Sequence, residues 1–402
     1  MRKWFSRSEN FITIIILSLI FLSGCRVLSA LPRLRAVDSG LNLSLPLNKC
    51  WEYKFNEEDV SYKQIASDNV NILAFVFEGG KLGLFDTSIA EPLWNSDLGL
   101  DISSNIVIAE KSIYFVAAVR NAAASGNYVL KNINKATGLV NWQAEFRFLS
   151  DVPAEMINLS IDGGKLIITE QNGGIHLFDK TDGREVRSLQ VGTQMPATNA
   201  VLYNSDGYII VETNDRLLSI ISKDGTGFSE IRTGGKVSTK TSTKISAVAL
   251  PADNRLVYGD RTGNVFALNL PDGSPVWKFR GGARITDITK TVYGMLVTSD
   301  DNFIYLITVD KGKTRWKRRL PGRVSGKPFV SGKYAIVASI AQPEADIINL
   351  ESGKIINRLY IEADEFLDGY IFVQNNLLIL STPKRLLAFS SGNCRKPVRS
   401  EN

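Results

Sequence analysis

Imidazole, thiol and carboxylate are the groups that would carry chemistry in this chain, and their supply is narrow. There is one histidine, His176, in 402 residues. One imidazole cannot build a histidine-rich metal site and leaves a single candidate for acid–base work near neutral pH. His176 lies two residues before Phe178 on a period-two apolar pattern, with no serine or cysteine implied as a partner, and this fits a structural role. The three cysteines, Cys25, Cys50 and Cys394, are too few for a four-thiolate zinc or iron–sulfur site, and no Cys-x-x-Cys-His occurs for covalent haem. Asp86, Asn134, Asp179, Asn269 and Asn349 recur at one turn position. Asp and Asn close turns there by bonding to nearby backbone. Asp300-Asp301-Asn302 is similar to the start of a calcium loop but lacks the following Gly and the later Glu in register, so a hairpin turn is expected. No catalytic residue, no metal site and no cofactor is therefore expected.

Cys25 has a different chemistry. Arg2, Lys3 and Arg7 precede an apolar run, residues 11–22, that is too short for the roughly 20 residues of a spanning helix and matches the core of a signal peptide. Leu22-Ser23-Gly24-Cys25 then resembles the bacterial lipobox. That resemblance implies a lipoprotein: the Cys25 thiol receives a diacylglycerol, residues 1–24 are removed, and the new amine is acylated. Several acyl chains on one residue anchor stably, where one would be marginal. The mature chain would lie outside the cytoplasm, where disulfides persist. Arg26 follows the cysteine instead of the Asp that marks inner-membrane retention, which implies the periplasmic face of the outer membrane. Residues 25–47 read as the lipidated cysteine and a tether.

These functions must be positioned by the remaining residues. Apolar residues make up 44% and charged residues 22%, an ordinary globular balance with enough length for a sizeable core. Lys plus Arg is 47 against 41 for Asp plus Glu, and the resulting +6 is too thinly spread to suggest a nucleic-acid partner. The body of the chain repeats. The clearest unit, residues 255–279, has an apolar strand, a polar Gly turn, a second strand ending in Asn269, a turn at Gly273 and a third strand carrying Trp277. The equivalent turn positions are Ala90, Gly138, Gly183, Gly225, Gly273, Gly312, Gly353 and Gly392, with a mean spacing of about 43 residues. Short strands at that period predict an all-β, eight-bladed antiparallel β-propeller with negligible helix. The fourth unit, around residues 203–233, is the weakest, and residues 117–126 read as a wide hairpin loop.

The eighth unit lacks its Trp strand, and an orphan strand at residues 49–55 carries one. A ring needs its ends joined or it exposes two edges. The N-terminal strand is therefore expected to close the ring as the outer strand of the last blade. Five tryptophans, Trp51, Trp94, Trp142, Trp277 and Trp316, then share one repeat position, as packing residues between blades.

The frame Gly-x-Val/Leu-x-Ala-Leu-Asp/Asn-x-x-x-Gly-x-x-x-Trp resembles the PQQ-like propeller repeat and covers the domain expected at residues 48–396, with a C-terminal tail at 397–402. Two groups share that repeat, quinoprotein dehydrogenases and the BamB family of outer-membrane β-barrel assembly lipoproteins. Signal peptide, lipobox, short tether and eight repeats resemble the second. The dehydrogenase resemblance would require adjacent cysteines, and none are adjacent here. The BamB resemblance implies a non-catalytic scaffold, a monomeric propeller within a complex, that binds periplasmic domains of a barrel-assembly protein. A ligand-binding or sensory propeller lipoprotein is the alternative. Residues 192–205 and 234–244 do not show the family's contact residues in register.

Two further expectations come from the repeat. Arg315, Lys317 and Arg319 share one face of an outer strand within a basic cluster that includes Lys311, Lys313, Arg318, Arg323 and Lys327. They could protect a sheet edge or form a docking surface for an acidic partner or anionic lipid. Cys50 lies three places past the closing turn and Cys394 two places past Gly392, so a disulfide between them would lock the ring.

Overall fold

The computed structural model describes residues 45–392 except 56–61, 119–126, 148–156, 171–173, 191–201, 204–207, 213–216, 223–227, 233–244, 253–254, 270–272, 341, 362–366, 368–370 and 375–376. All of them belong to one compact unit, Asp38–Asn402. They form eight antiparallel sheets in chain order. Blades 1 to 7 span residues 62–97, 101–147, 157–190, 202–232, 245–280, 285–319 and 324–360, and blade 8 is built from residues 371–390 together with Asn48–Lys54. A three-residue turn of 3₁₀ helix, Glu78–Gly80, is the only helix among the described residues.

Burial explains the strand sequences. Ile72–Phe77 is buried at all six positions because both faces of its sheet are covered by neighbouring blades. Such a strand needs an unbroken apolar run. The outermost strand of a blade is covered on one face only, so Thr314–Arg319 alternates between exposed and half-buried residues in its last five positions. The core lies between sheets: Phe75 and Phe85 of blade 1 pack with Ile379, Leu386 and Ala388 of blade 8.

Blade 8 closes the ring. Asn48–Lys54 pairs antiparallel with Arg385–Ser390, with Trp51 opposite Ala388 and Lys54 opposite Arg385. The N-terminal strand is thus the outer strand of a sheet whose other three strands come from the far end of the chain. Arg385 reaches across the seam to Glu52, Nη1 to Oε1, at 2.8 Å. Burial disfavours the Glu52 carboxylate, but Lys49 and Arg385 outweigh it and hold its pKa below the usual value.

Blade 2 departs from the four-strand pattern. Its innermost strand is split into Asp101–Ile102 and Val107–Ile108, both paired with Ser112–Ala118. Between the halves, Ser104 Oγ accepts the Val116 N–H at 2.8 Å. The Asn105 amide meets the Leu159 backbone twice, accepting its N–H at 2.7 Å and donating to its carbonyl at 2.8 Å. A side-chain amide there satisfies backbone groups as a neighbouring strand would. The fourth unit, weak in sequence, forms a sheet of four strands between Leu202 and Arg232. The expected loop at residues 117–126 lies outside the described residues beyond Ala118.

Candidate functional site

The repeated tryptophan positions form docks between blades. A Cβ on Gly353 of blade 7 would lie 2.6 Å from the Trp316 ring of blade 6, and Gly353 has φ +67°, so this turn takes neither a side chain nor ordinary backbone geometry. The Trp316 Nε1–H donates to the Leu350 carbonyl at 2.7 Å. Trp277 bonds Val309 of blade 6 in the same way at 2.9 Å, and Trp94 bonds Lys135 of blade 2 at 3.0 Å. Trp142 lies against Gly183, but its buried Nε1 meets no acceptor among the described residues. Trp51, buried at 8% exposure, packs with Phe85 of blade 1, and Ala90 lies against the same cluster. Ala90 holds the left-handed turn conformation, φ +57°, that Gly has elsewhere. One indole therefore fills the gap between two blades, and in three junctions it also satisfies a turn carbonyl.

His176 faces the junction between blades 2 and 3. It is 1% exposed, with Nε2 at 2.6 Å from Glu170 Oε1 and Nδ1 at 2.8 Å from Glu185 Oε1. Phe146 of blade 2 meets its ring edge-on at 5.2 Å, and Phe178 stacks at 6.3 Å. Burial pushes the imidazole towards neutrality, but the two glutamates outweigh it and raise its pKa. The sequence gives little sign of these partners, since Glu170 ends an apolar strand and Glu185 begins the next hairpin arm. These contacts hold the ring in place between the two blades. Among the described residues, no three His, Cys, Asp or Glu side chains converge where a metal ion could sit.

Asp300, Asp301 and Asn302 form a hairpin turn in blade 6. Asp301 accepts the Phe303 N–H at 2.9 Å, the Gly282 N–H at 2.7 Å and the Tyr305 hydroxyl at 2.5 Å. Burial and that carboxylate raise the Tyr305 pKa strongly. The turn ties blade 6 to the end of blade 5.

The basic strand lies at the rim of blade 6. Thr314–Arg319 pairs on one side with Phe303–Ile307 and is the last strand of its sheet. Trp316 and Arg318 turn towards blade 7, where Arg318 Nε donates to the Gly353 carbonyl at 2.7 Å. Arg315, Lys317 and Arg319 are exposed on the other face. Cys50 is buried beside Trp51 in the closing strand. Cys25, Cys394 and most of residues 192–205 and 234–244 lie outside the described residues. No described helix is long and apolar enough to cross a membrane.

The fold has known counterparts. The crystal structure of BamB from Moraxella catarrhalis is similar, with a TM-score of 0.62 at 15% identity, covering 87% of this chain and 99% of that one. A computationally designed protein, Ika8, is similar at a TM-score of 0.64 and 12% identity, over 84% and 98% of the two chains. In sequence, the outer membrane protein assembly factor BamB of Shewanella oneidensis is 20% identical over 310 residues, 73% of this chain and 76% of the relative. A family model described as outer membrane protein assembly factor BamB matches residues 48–279. With more than half its length matched and the eight closed blades in place, the chain belongs to the BamB family of PQQ-repeat propellers.

Proposed function

We propose that this protein is a lipid-anchored scaffold on the periplasmic face of the outer membrane that assists assembly of β-barrel proteins without catalysing a reaction. The family match carries this reading, because the family is described by that assembly role. The lipobox ending at Cys25 supports the anchor, and the absence of adjacent cysteines in the sequence argues against quinoprotein dehydrogenase chemistry. A propeller whose blades dock through indoles set between them suits a scaffold, which needs fixed surfaces more than a moving site. Its partner is a periplasmic domain of a barrel-assembly protein.

The test is a crosslinked pull-down from intact membranes of the native host. Recovery of the barrel-assembly protein supports the scaffold role. Its absence, with the protein still in the outer membrane, favours a ligand-binding propeller. Cys25→Ala tests the anchor separately. The variant should accumulate as a precursor or appear in the soluble fraction, whereas normal processing with membrane retention would refute lipidation.

A further inference from the structure

The rims of blades 6 and 7 place cations at the same register position but treat them differently. In blade 7, Arg358 lies opposite Asp346 on the neighbouring strand. Its Nε meets Asp346 at 2.9 Å and lies 3.9 Å from Glu344. Burial raises the Asp346 pKa, with Arg358 and Arg318 acting against the rise. In blade 6 the equivalent residue is Lys317, and it lies opposite Tyr305. The position of Glu344 is taken by Phe303, and the Lys317 ammonium lies 5.4 Å over that ring. Arg315 and Arg319 flank it, and among the described residues none of the three meets a carboxylate. The carboxylate of the adjoining turn, Asp301, is already held by Gly282, Phe303 and Tyr305. Blade 7 therefore neutralises its own rim, while blade 6 leaves three cations uncompensated. Lys313 and Arg323, also exposed, continue the charge at either end.

The geometry of this array selects a partner. Cations at positions 315, 317 and 319 repeat about every 6.8 Å along one face of an extended strand. The outer edge of that strand pairs with no described strand, so its backbone groups are available along the same line. A strand added to that edge would place every second side chain on the cationic face. An anionic lipid surface would need no such register and is usually engaged with apolar side chains inserted beside the cations. None of the exposed large apolar residues lies within residues 311–327.

We propose that the free edge of Thr314–Arg319 is a docking site for an acidic, extended polypeptide segment carrying carboxylates at every second residue. This surface is independent of the assembly reading and requires only the folded propeller.

The test uses the full mature protein and a fluorescein-labelled peptide alternating Glu with Thr. One control peptide has the same composition with its glutamates grouped at one end, and a second is N-methylated at alternate residues. The alternating peptide should bind, with affinity falling as salt rises. Binding should weaken roughly tenfold or more in R315Q/K317Q/R319Q, since three exposed ion pairs are lost together. Grouping the glutamates or methylating the backbone should also weaken it. The charge-reversed R315E/K317E/R319E should abolish it; if that variant misfolds by circular dichroism, the glutamine variant decides. Equal binding of all three peptides, or unchanged binding to the glutamine variant, would overturn the proposal. So would an absence of peptide binding, which would leave the cations as edge protection. Binding of phosphatidylglycerol vesicles that the glutamine variant loses, with no register-dependent peptide binding, would make the surface a lipid site and equally overturn it.

Discussion

The junction between blades 6 and 7 and the junction between blades 8 and 1 do the same task with different materials. The first is mainly aliphatic, with Leu296, Ile304, Leu306, Val337, Ile348 and Leu350 around a half-buried Trp316. Its indole is fixed by a Gly turn and a carbonyl. The second is aromatic: Tyr53 meets Phe85 at 4.7 Å, Phe55 meets Phe75 at 5.3 Å and Tyr62 at 5.5 Å, and Trp51 meets Phe85 at 6.0 Å. Tyr62 also donates to the Thr382 carbonyl of blade 8 at 2.8 Å. The difference follows from chain connectivity. The outer strand of blade 6 is tied to its sheet by a hairpin turn, whereas Asn48–Lys54 joins its sheet from the other end of the chain. Nothing local holds it, so side-chain burial must replace the missing turn, and aromatic rings bury the most surface per residue.

Breaking the aromatic side should therefore have the largest effect. Trp51→Ala should cost about 3–5 kcal/mol, the usual range for a buried Trp, while Trp316→Ala should cost less because its ring is half exposed. In hydrogen exchange, Trp51→Ala should also deprotect amides of residues 48–54 and 385–390 ahead of the rest. Equal losses in the two variants, with uniform exchange, would show that the seam is no weaker than an ordinary junction.

A covalent tie would sharpen the same comparison. If Cys50 and Cys394 are bonded, reduction or Cys50→Ser should destabilise the protein by about 2–4 kcal/mol. The exchange signature should again be confined to the closing blade. Mass spectrometry of non-reduced peptides from envelope-expressed protein checks the pairing, and two free thiols would dismiss it. The effect should add to Trp51→Ala less than fully, because both act on one strand.

The turn residues should respond unequally. Gly353→Ala adds a methyl against the Trp316 ring at a positive φ, and a loss of about 1–3 kcal/mol is expected. Ala90 already has that conformation at the seam. Ala90→Gly relieves roughly 1 kcal/mol of backbone strain but removes a methyl packed against the closing cluster, so its melting temperature should stay close to the parent's. A large loss in Ala90→Gly would show that the methyl is a structural part of the closing dock.

Much of this is readable in the sequence, for definable reasons. The turn glycines and tryptophans recur because one dock repeats, so their spacing gave blade count, closure and even the equivalence of Ala90 to glycine. The alternation in Thr314–Arg319 revealed its two faces because one face is solvated. What stayed hidden was contact between units. The Asn105 amide completing a strand in blade 3, the Asp346–Arg358 pair that separates blade 7 from blade 6, and the two glutamates around His176 each depend on a one-off neighbour that no period announces. The chemistry of the docking surface was likewise only half legible. Charge was visible in sequence, but the lack of compensating carboxylates needed the fold.

His176 offers the smallest effect and a third kind of junction, where polar contacts replace the indole bond that Trp142 lacks among the described residues. Its folded pKa is raised above the ordinary 6.5 because Glu170 and Glu185 outweigh its burial. The charged ring therefore stabilises the fold fully below pH 6.5, and that contribution is lost as pH rises through the folded pKa. Tyr128 of blade 2, which also feels Glu170, has its pKa raised by burial and by that carboxylate, so it stays neutral through the same window. The expected result is a stability that declines from about pH 6 towards alkaline pH, by about 1.4 kcal/mol for each unit by which the pKa is raised, with a falling melting temperature as the readout. His176→Gln keeps hydrogen-bonding capacity but cannot titrate, so it should flatten that slope while leaving the blade 8 to blade 1 junction unchanged in hydrogen exchange. If the slope persists in His176→Gln, the pH dependence arises elsewhere. If stability instead falls on acidification between pH 7 and 6, the imidazole is neutral in the fold, and the two glutamates do not hold a charge there.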